Sequence, residues 1–157
     1  MSDEREVYFF HGLESGPVGT KSTRLDEHFE VVSPDFRDMD IWERLEKAEE
    51  LTEDADDLVV VGSSYGGLLA ALLYSRHPQR FRGYVLMAPA LYLEAADEIE
   101  RMPPDAVVIH GVHDEVVPID TVRDVCARFG VEIEEVDDNH RLHASLDRMV
   151  QAVREVL

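Results

Sequence analysis

The stretch LVVVGSSYGGLL (residues 58–69) decides the fold. An apolar β-branched run reads as a strand buried on both faces. A second apolar run, from Leu68 on, reads as a buried helix. Two serines, a tyrosine and three glycines lie between them. Gly62-Ser63-Ser64-Tyr65-Gly66 fits G-x-S-x-G with a strand before it and a helix after it, the context that motif requires. The pattern puts Ser64 rather than Ser63 at the apex of a sharp strand-to-helix elbow. Glycines two residues to either side remove the bulk that would keep strand and helix apart. A Ser/Gly turn that merely caps a helix is the simpler alternative; the strand-turn-helix context outweighs it.

Working outward, three more runs read as buried strands: VYFF (7–10), YVLMAP (84–89) and AVVIHG (106–111). Near-continuous apolar strands are expected where helices cover both faces of a parallel sheet. EVVSP (30–34) and VEIEEVD (131–137) are weaker strands, the second alternating as a half-exposed edge would. Helix-like windows cover 20–29, 40–55, 65–77, 118–129 and 140–156. The alternation of strand and helix predicts one three-layer α/β/α domain over residues 1–157 with a mostly parallel six-stranded sheet. The segment 90–105 has room for a short helix before Pro103-Pro104; if it covers a site, it does so as a small flap.

A serine hydroxyl needs a base, and the base needs an orienting group. The order expected downstream is acid, then histidine. HGVHDEVVP (110–118) ends a strand and presents Asp114 just beyond it, where α/β sheets bind ligands. Glu115 is the neighbouring alternative. His140, in VDDNHRLH, follows the last strand and is the candidate base, with His143 one turn later. His110 and His113 flank the acid, His77 reads as structural, and His28 has no partner pattern. In FFHGLESGP (9–17), Gly12 lets the backbone approach the site, and the Leu13 N–H is the natural oxyanion donor beside that of Tyr65. His11 reads as ordering this loop. Nothing in the chain asks for a metal or an organic cofactor.

The composition bounds the rest. Thirty-four acidic residues oppose fifteen basic ones for a net charge of −19, and only Lys21 and Lys47 are lysines. Such a surface disfavours nucleic-acid and membrane partners. It is expected either for solubility or for a halophilic, salt-adapted setting. Strongly anionic substrates are disfavoured unless Arg24, Arg37 or Arg141 lines the mouth. The lone Cys126 reads as core packing. MSDEREVYFF lacks the basic and apolar regions of a signal peptide, and no apolar run approaches the ~20 residues of a bilayer span; a cytoplasmic location is expected.

Taken together, YFFHGLESGPVGTKSTRL, VVVGSSYGG, HGVHDEVVP and NHRL resemble the α/β-hydrolase superfamily, and within it the small lidless bacterial esterases of the YqiA type. The resemblance implies Ser64 as nucleophile, Asp114 as acid, His140 as base, Leu13 and Tyr65 as oxyanion donors, and a sheet ordered 2-1-3-4-5-6. The superfamily's first two strands have no room before Tyr8, so the sheet is trimmed, and no cap domain is present. The expected activity is cleavage of small carboxylic esters or thioesters of short to medium acyl chains. Amide or lactone hydrolysis, acyl transfer by the same residues, and a non-catalytic interaction module are the alternatives.

Overall fold

The computed structural model describes residues 6–157. The stretch read for a targeting signal begins at residues 1–5, outside the described residues. Six strands form one sheet: β1 (Glu6–Phe10), β2 (Glu30–Val32), β3 (Leu58–Ser63), β4 (Phe81–Met87), β5 (Val107–Gly111) and β6 (Ile133–Val136). They lie in the order β2-β1-β3-β4-β5-β6, every neighbouring pair parallel, as expected. Four helices lie between strands, α1 (Thr20–Asp26), α2 (Ile41–Leu51), α3 (Tyr65–Arg76) and α4 (Ile119–Arg128), and α5 (Leu146–Val156) follows β6.

The period-two alternation of side chains sends neighbouring residues to opposite layers. Val7, Phe9, Val59, Val61, Val85, Met87 and Ile109 face α1 and α5, where Leu25, Met149 and Val153 meet them. Phe10, Val60, Tyr84, Leu86 and Val108 face α2, α3 and α4. Both faces are therefore apolar, which is why the strands read as unbroken runs. The central α3 is buried nearly all round and carries no polar face before its last turns. Asp40 caps α2, its carboxylate accepting the N–H groups of Trp42 and Glu43 while Glu43 reaches back to the Asp40 N–H. No helix of the described residues is long and apolar enough to cross a membrane.

Two expectations are corrected. The 90–105 stretch is not a flap: Ala90, Leu91, Ala96, Ile99 and Met102 are buried in the core beside α3. Its far end is tied to that helix, with the Glu100 N–H donating to Ser75 Oγ at 2.8 Å and Arg101 donating to the Ser75 carbonyl. The last helix starts at Leu146 rather than at residue 140, because Leu142 sits in the left-handed region (φ 56°) and a 3-10 turn over His143–Ser145 precedes α5. His140 is thus held in a loop.

Candidate active site

The site lies along the C-terminal edge of the sheet, where the loops after β1, β3, β5 and β6 meet. Ser64 separates β3 from α3 with φ 54° and ψ −111°, a conformation that costs a non-glycine residue about 1–3 kcal/mol. The backbone around it holds that strain in place. The Ser64 N–H donates to the Met87 carbonyl at 2.9 Å, and the Ser64 carbonyl accepts from Ala90 at 2.9 Å and Gly67 at 3.0 Å. A Cβ on Gly62 would lie 2.7 Å from the Gly67 Cα; one on Gly66 would lie 2.7 Å from the His11 carbonyl oxygen and closer still to that of Phe10. The glycine spacing is a packing requirement of the elbow. Gly67, read as room against the sheet, serves that purpose and clears Pro89 too: a Cβ on it would lie 3.3 Å from the Gly62 carbonyl oxygen of β3 and 2.8 Å from the Pro89 Cβ.

His140 bridges the other two predicted residues. Its Nε2 is 3.0 Å from Ser64 Oγ, and its Nδ1–H donates to Asp114 Oδ2 at 2.8 Å. Asp114 has no exposed side-chain surface. Its Oδ1 accepts the N–H groups of Val116 (2.8 Å) and Val117 (2.7 Å), so the carboxylate is fixed by its own turn. Glu115, the neighbouring acid, is exposed and accepts neither of these bonds. With Nδ1 carrying the proton toward Asp114, Nε2 presents a lone pair to the serine hydroxyl, the tautomer a general base needs.

The loop bearing His140 is fastened on three sides. Asp138 Oδ2 accepts from the Ala144 N–H at 3.0 Å and the Ser145 hydroxyl at 2.9 Å. A Cβ on Gly111 would lie 2.8 Å from the Asn139 carbonyl oxygen, so the end of β5 passes directly beneath this loop. Lys21, far off in sequence, donates to the Arg141 carbonyl at 2.8 Å. Burial pulls the Lys21 ammonium down to about 8, against the attraction of Asp138.

The loop after β1 completes the arrangement. A Cβ on Gly12 would sit 3.7 Å from that of Ser64, which brings the Leu13 peptide alongside the elbow. Neither the Leu13 nor the Tyr65 N–H donates to a group among the described residues. The Tyr65 N–H also opens α3, at the positive end of its dipole. Both donors are thus left without a protein partner close to the Ser64 elbow.

The remaining histidines sort by their partners. His11 is buried; its Nδ1–H donates to the Gly12 carbonyl at 2.7 Å and its Nε2 accepts the Phe36 N–H at 2.8 Å, joining the loops after β1 and β2. Burial lowers its pKa and keeps it neutral. It orders the loop, as expected. His110 is also buried, its Nε2–H directed at the Val117 carbonyl (2.9 Å) and within 3.3 Å of Asp114 Oδ2; burial lowers its pKa too. His113 and His143 are exposed, and His77 pairs with Glu49 at 2.7 Å between α3 and α2. Of the arginines proposed for the mouth, Arg24 pairs with Asp147 and Arg37 forks onto Asp35. One residue escaped the sequence altogether: Arg44, fully buried, donates to the carbonyls of His11 and Gly12. The signal was available, because Arg44 occupies the same helical stripe as Ile41, Leu45 and Ala48.

Comparison with known proteins gives the same architecture. The model of the alpha/beta hydrolase fold family matches residues 7–152. Among solved structures, a protein of the alpha/beta hydrolase superfamily from Xanthomonas campestris pv. campestris is 27% identical, with 96% of this chain covering 95% of that one at a TM-score of 0.81. Est1E from Butyrivibrio proteoclasticus (14% identity, 99% and 87% coverage, TM-score 0.78) shares the fold. So does a monoacylglycerol lipase from Paleococcus ferrophilus (15% identity, 96% and 93% coverage, TM-score 0.77). No curated protein matches the chain significantly. With its parallel sheet, its elbow and a family match across nearly its whole length, the chain belongs to the alpha/beta hydrolase fold family and is a hydrolase.

Proposed function

We propose that this hydrolase cleaves carboxylic esters or thioesters of short to medium acyl chains through Ser64, His140 and Asp114. The observation that carries the proposal is the unbroken path from Ser64 Oγ to His140 Nε2 (3.0 Å) and from His140 Nδ1 to Asp114 Oδ2 (2.8 Å). As Ser64 Oγ attacks the acyl carbon, its proton passes to His140 Nε2, and the carbonyl π electrons move onto oxygen. The N–H groups of Leu13 and Tyr65 receive that oxyanion. The imidazolium is stabilised by the buried Asp114 carboxylate and returns its proton to the departing alcohol or thiol. An acyl-Ser64 ester remains. Water, deprotonated by His140, then adds to the acyl carbon, and collapse of the second tetrahedral intermediate releases the acid and restores the Ser64 hydroxyl.

The acyl-length preference is inferred from the lack of a cap among the described residues. The stretch after β4 is built into the core, so a long chain finds little apolar wall to cover it. The experiment is labelling with a fluorophosphonate probe of wild type, Ser64→Ala and His140→Ala, followed by p-nitrophenyl esters of increasing length. Wild type is expected to label, Ser64→Ala not at all, and kcat/KM to decline for the longer acyl chains. An unlabelled wild type, or a Ser64→Ala that labels equally, sinks the serine mechanism and leaves a binding role. A rise in kcat/KM with length overturns the acyl preference.

A further inference from the structure

Arg44 carries a charge that the reaction above does not use. It lies with no exposed surface on a helix stripe otherwise filled by Ile41, Leu45 and Ala48. Burying a guanidinium is costly unless its donors are satisfied. None of the described ion pairs includes it; its donors go to backbone carbonyls. Nη1 donates to His11 O at 2.6 Å, Nη2 to Gly12 O at 3.0 Å, and Nε to Met39 O at 3.3 Å. Its carbon centre lies 4.8 Å from the centroid of the Tyr65 ring and 5.6 Å from that of Phe36. The two residues whose N–H groups receive the oxyanion in the proposed reaction are thus both attached to this one side chain: Tyr65 through its ring, Leu13 through the peptide it shares with Gly12.

We propose that Arg44 is a positioning residue that aims and strengthens the oxyanion donors. The proposal rests on the assignment of Leu13 and Tyr65 under the proposed function. The Gly12 carbonyl and the Leu13 N–H belong to one planar peptide and point in opposite directions. Holding that oxygen with Arg44 from one side and His11 Nδ1 (2.7 Å) from the other fixes where the N–H points. A cationic donor on the oxygen also draws electron density out of the peptide, which makes the N–H at its other end a stronger donor. The Tyr65 ring, packed on the guanidinium face, ties the start of α3 to the same group. Lysine cannot replace it, because a single ammonium has neither the fork that spans two consecutive carbonyls nor the flat face.

The test uses the full chain with Arg44→Lys, Arg44→Gln and Tyr65→Leu, each checked for fold by near-UV circular dichroism and a urea midpoint. Removing one oxyanion donor costs about 10²–10³ in kcat, and misaiming it costs less, so the Arg44 variants are expected to lose about 10–100-fold in kcat on p-nitrophenyl acetate. KM should stay within about threefold, because ground-state binding does not use the donors. A trifluoromethyl ketone adds to Ser64 as a tetrahedral anion; its affinity should fall in step with kcat/KM. Tyr65→Leu keeps its N–H but loses the ring, and should lose about 3–10-fold in kcat. A wild type that neither turns over esters nor labels with the probe refutes the serine mechanism itself. An active wild type and dead Ser64→Ala, with folded Arg44→Lys or Arg44→Gln keeping wild-type kcat and ketone affinity, overturns the role of Arg44 alone. So does a loss confined to KM. If neither Arg44 variant folds, wild-type kcat in Tyr65→Leu overturns it.

Discussion

Replacing Asp114 by Asn tests the proposed chemistry at the atom that sets the proton's position. Three donors bond the carboxylate: the N–H groups of Val116 (2.8 Å) and Val117 (2.7 Å) on Oδ1 and His140 Nδ1–H (2.8 Å) on Oδ2; His110 Nε2, whose proton goes to the Val117 carbonyl, lies 3.3 Å from Oδ2. An amide of the same shape has only one acceptor oxygen. If that oxygen faces Val116 and Val117, both backbone bonds survive and the NH2 group faces His140. If it faces His140, the NH2 group meets two N–H donors and leaves them unpaired. An unsatisfied buried donor costs about 1–3 kcal/mol; the Val116 N–H bond is exposed and the Val117 N–H bond part-buried, so the first orientation wins by about 1–3 kcal/mol.

In that orientation His140 must accept at Nδ1, which moves its proton to Nε2, the nitrogen 3.0 Å from Ser64 Oγ. The base then points a proton at the nucleophile it should deprotonate. The same exchange in a serine triad costs about 10⁴ in kcat, or about 5.5 kcal/mol of activation free energy. The assay is hydrolysis of p-nitrophenyl acetate at pH 7.5 with active-site titration, alongside ¹⁵N chemical shifts of the His140 ring to read its tautomer. A folded Asp114→Asn protein within about tenfold of wild type, or one whose His140 still carries its proton on Nδ1, refutes the reasoning.

Other expectations follow from single contacts. Gly66→Ala should not fold or should lose more than about 3 kcal/mol of stability by urea unfolding, because its Cβ would overlap the Phe10 carbonyl, which is backbone and cannot move aside. Gly19→Ser is the opposite case: open space around the position and an extended cap conformation should give a gain of about 0.5–1 kcal/mol by the same measurement. Lys21, held at about 8 when folded, regains an ordinary amine value near 10.4 when unfolded. The unfolded chain therefore binds more protons between those values, and stability should rise with pH from about 8 to about 10.4 through this group; urea midpoints across that window should show the rise weakened in Lys21→Met, and an unchanged slope refutes the assignment. The net charge of −19 predicts a urea midpoint that rises between 0.05 M and 2 M KCl, as the screening length falls from above 10 Å to below 3 Å; a flat response removes the case for salt adaptation.

What could be read from the chain and what could not divides by the range of the interaction. The strands were legible because both their faces are covered, which leaves runs such as Val59-Val60-Val61 with no polar interruption. The elbow was legible because Gly62 answers a local overlap with Gly66 and Gly67, even though Gly66 itself clears the distant Phe10 and His11 carbonyls, and Asp114 because its turn closes within three residues. Strand β4 was read from three residues late to two residues past its end: Arg80 and Arg82 hide its start at Phe81, though their side chains go to the Glu49 carbonyl and to the chain end. The start of α5 was misplaced because a leucine with φ 56° has no sequence signature. The Lys21–Arg141 bond joins residues 120 apart and Arg44–His11 residues 33 apart. Nothing local in the sequence specifies such pairs; only the order of strands in the sheet brings those loops together.

The distribution of buried polar groups gives that division a mechanical meaning. Besides the Asp114 side chain, the polar residues buried as a whole among the described residues are His11, Ser22, Arg44, Thr52, Ser75, His110 and Ser145. Four of them hold the site loops: His11 and Arg44 the Gly12 peptide, His110 the turn of Asp114, and Ser145 the Asp138 carboxylate beside His140. The sheet and helices are stabilised by apolar packing that tolerates exchange at constant volume. The loops are stabilised by hydrogen bonds in a dry interior, where losing one partner strands the other. Apolar exchanges in the α1/α5 layer should therefore change stability and leave kcat alone. Substitutions at His11, Arg44 or His110 should change kcat out of proportion to their effect on stability, because what they hold is the aim of a donor rather than the fold around it.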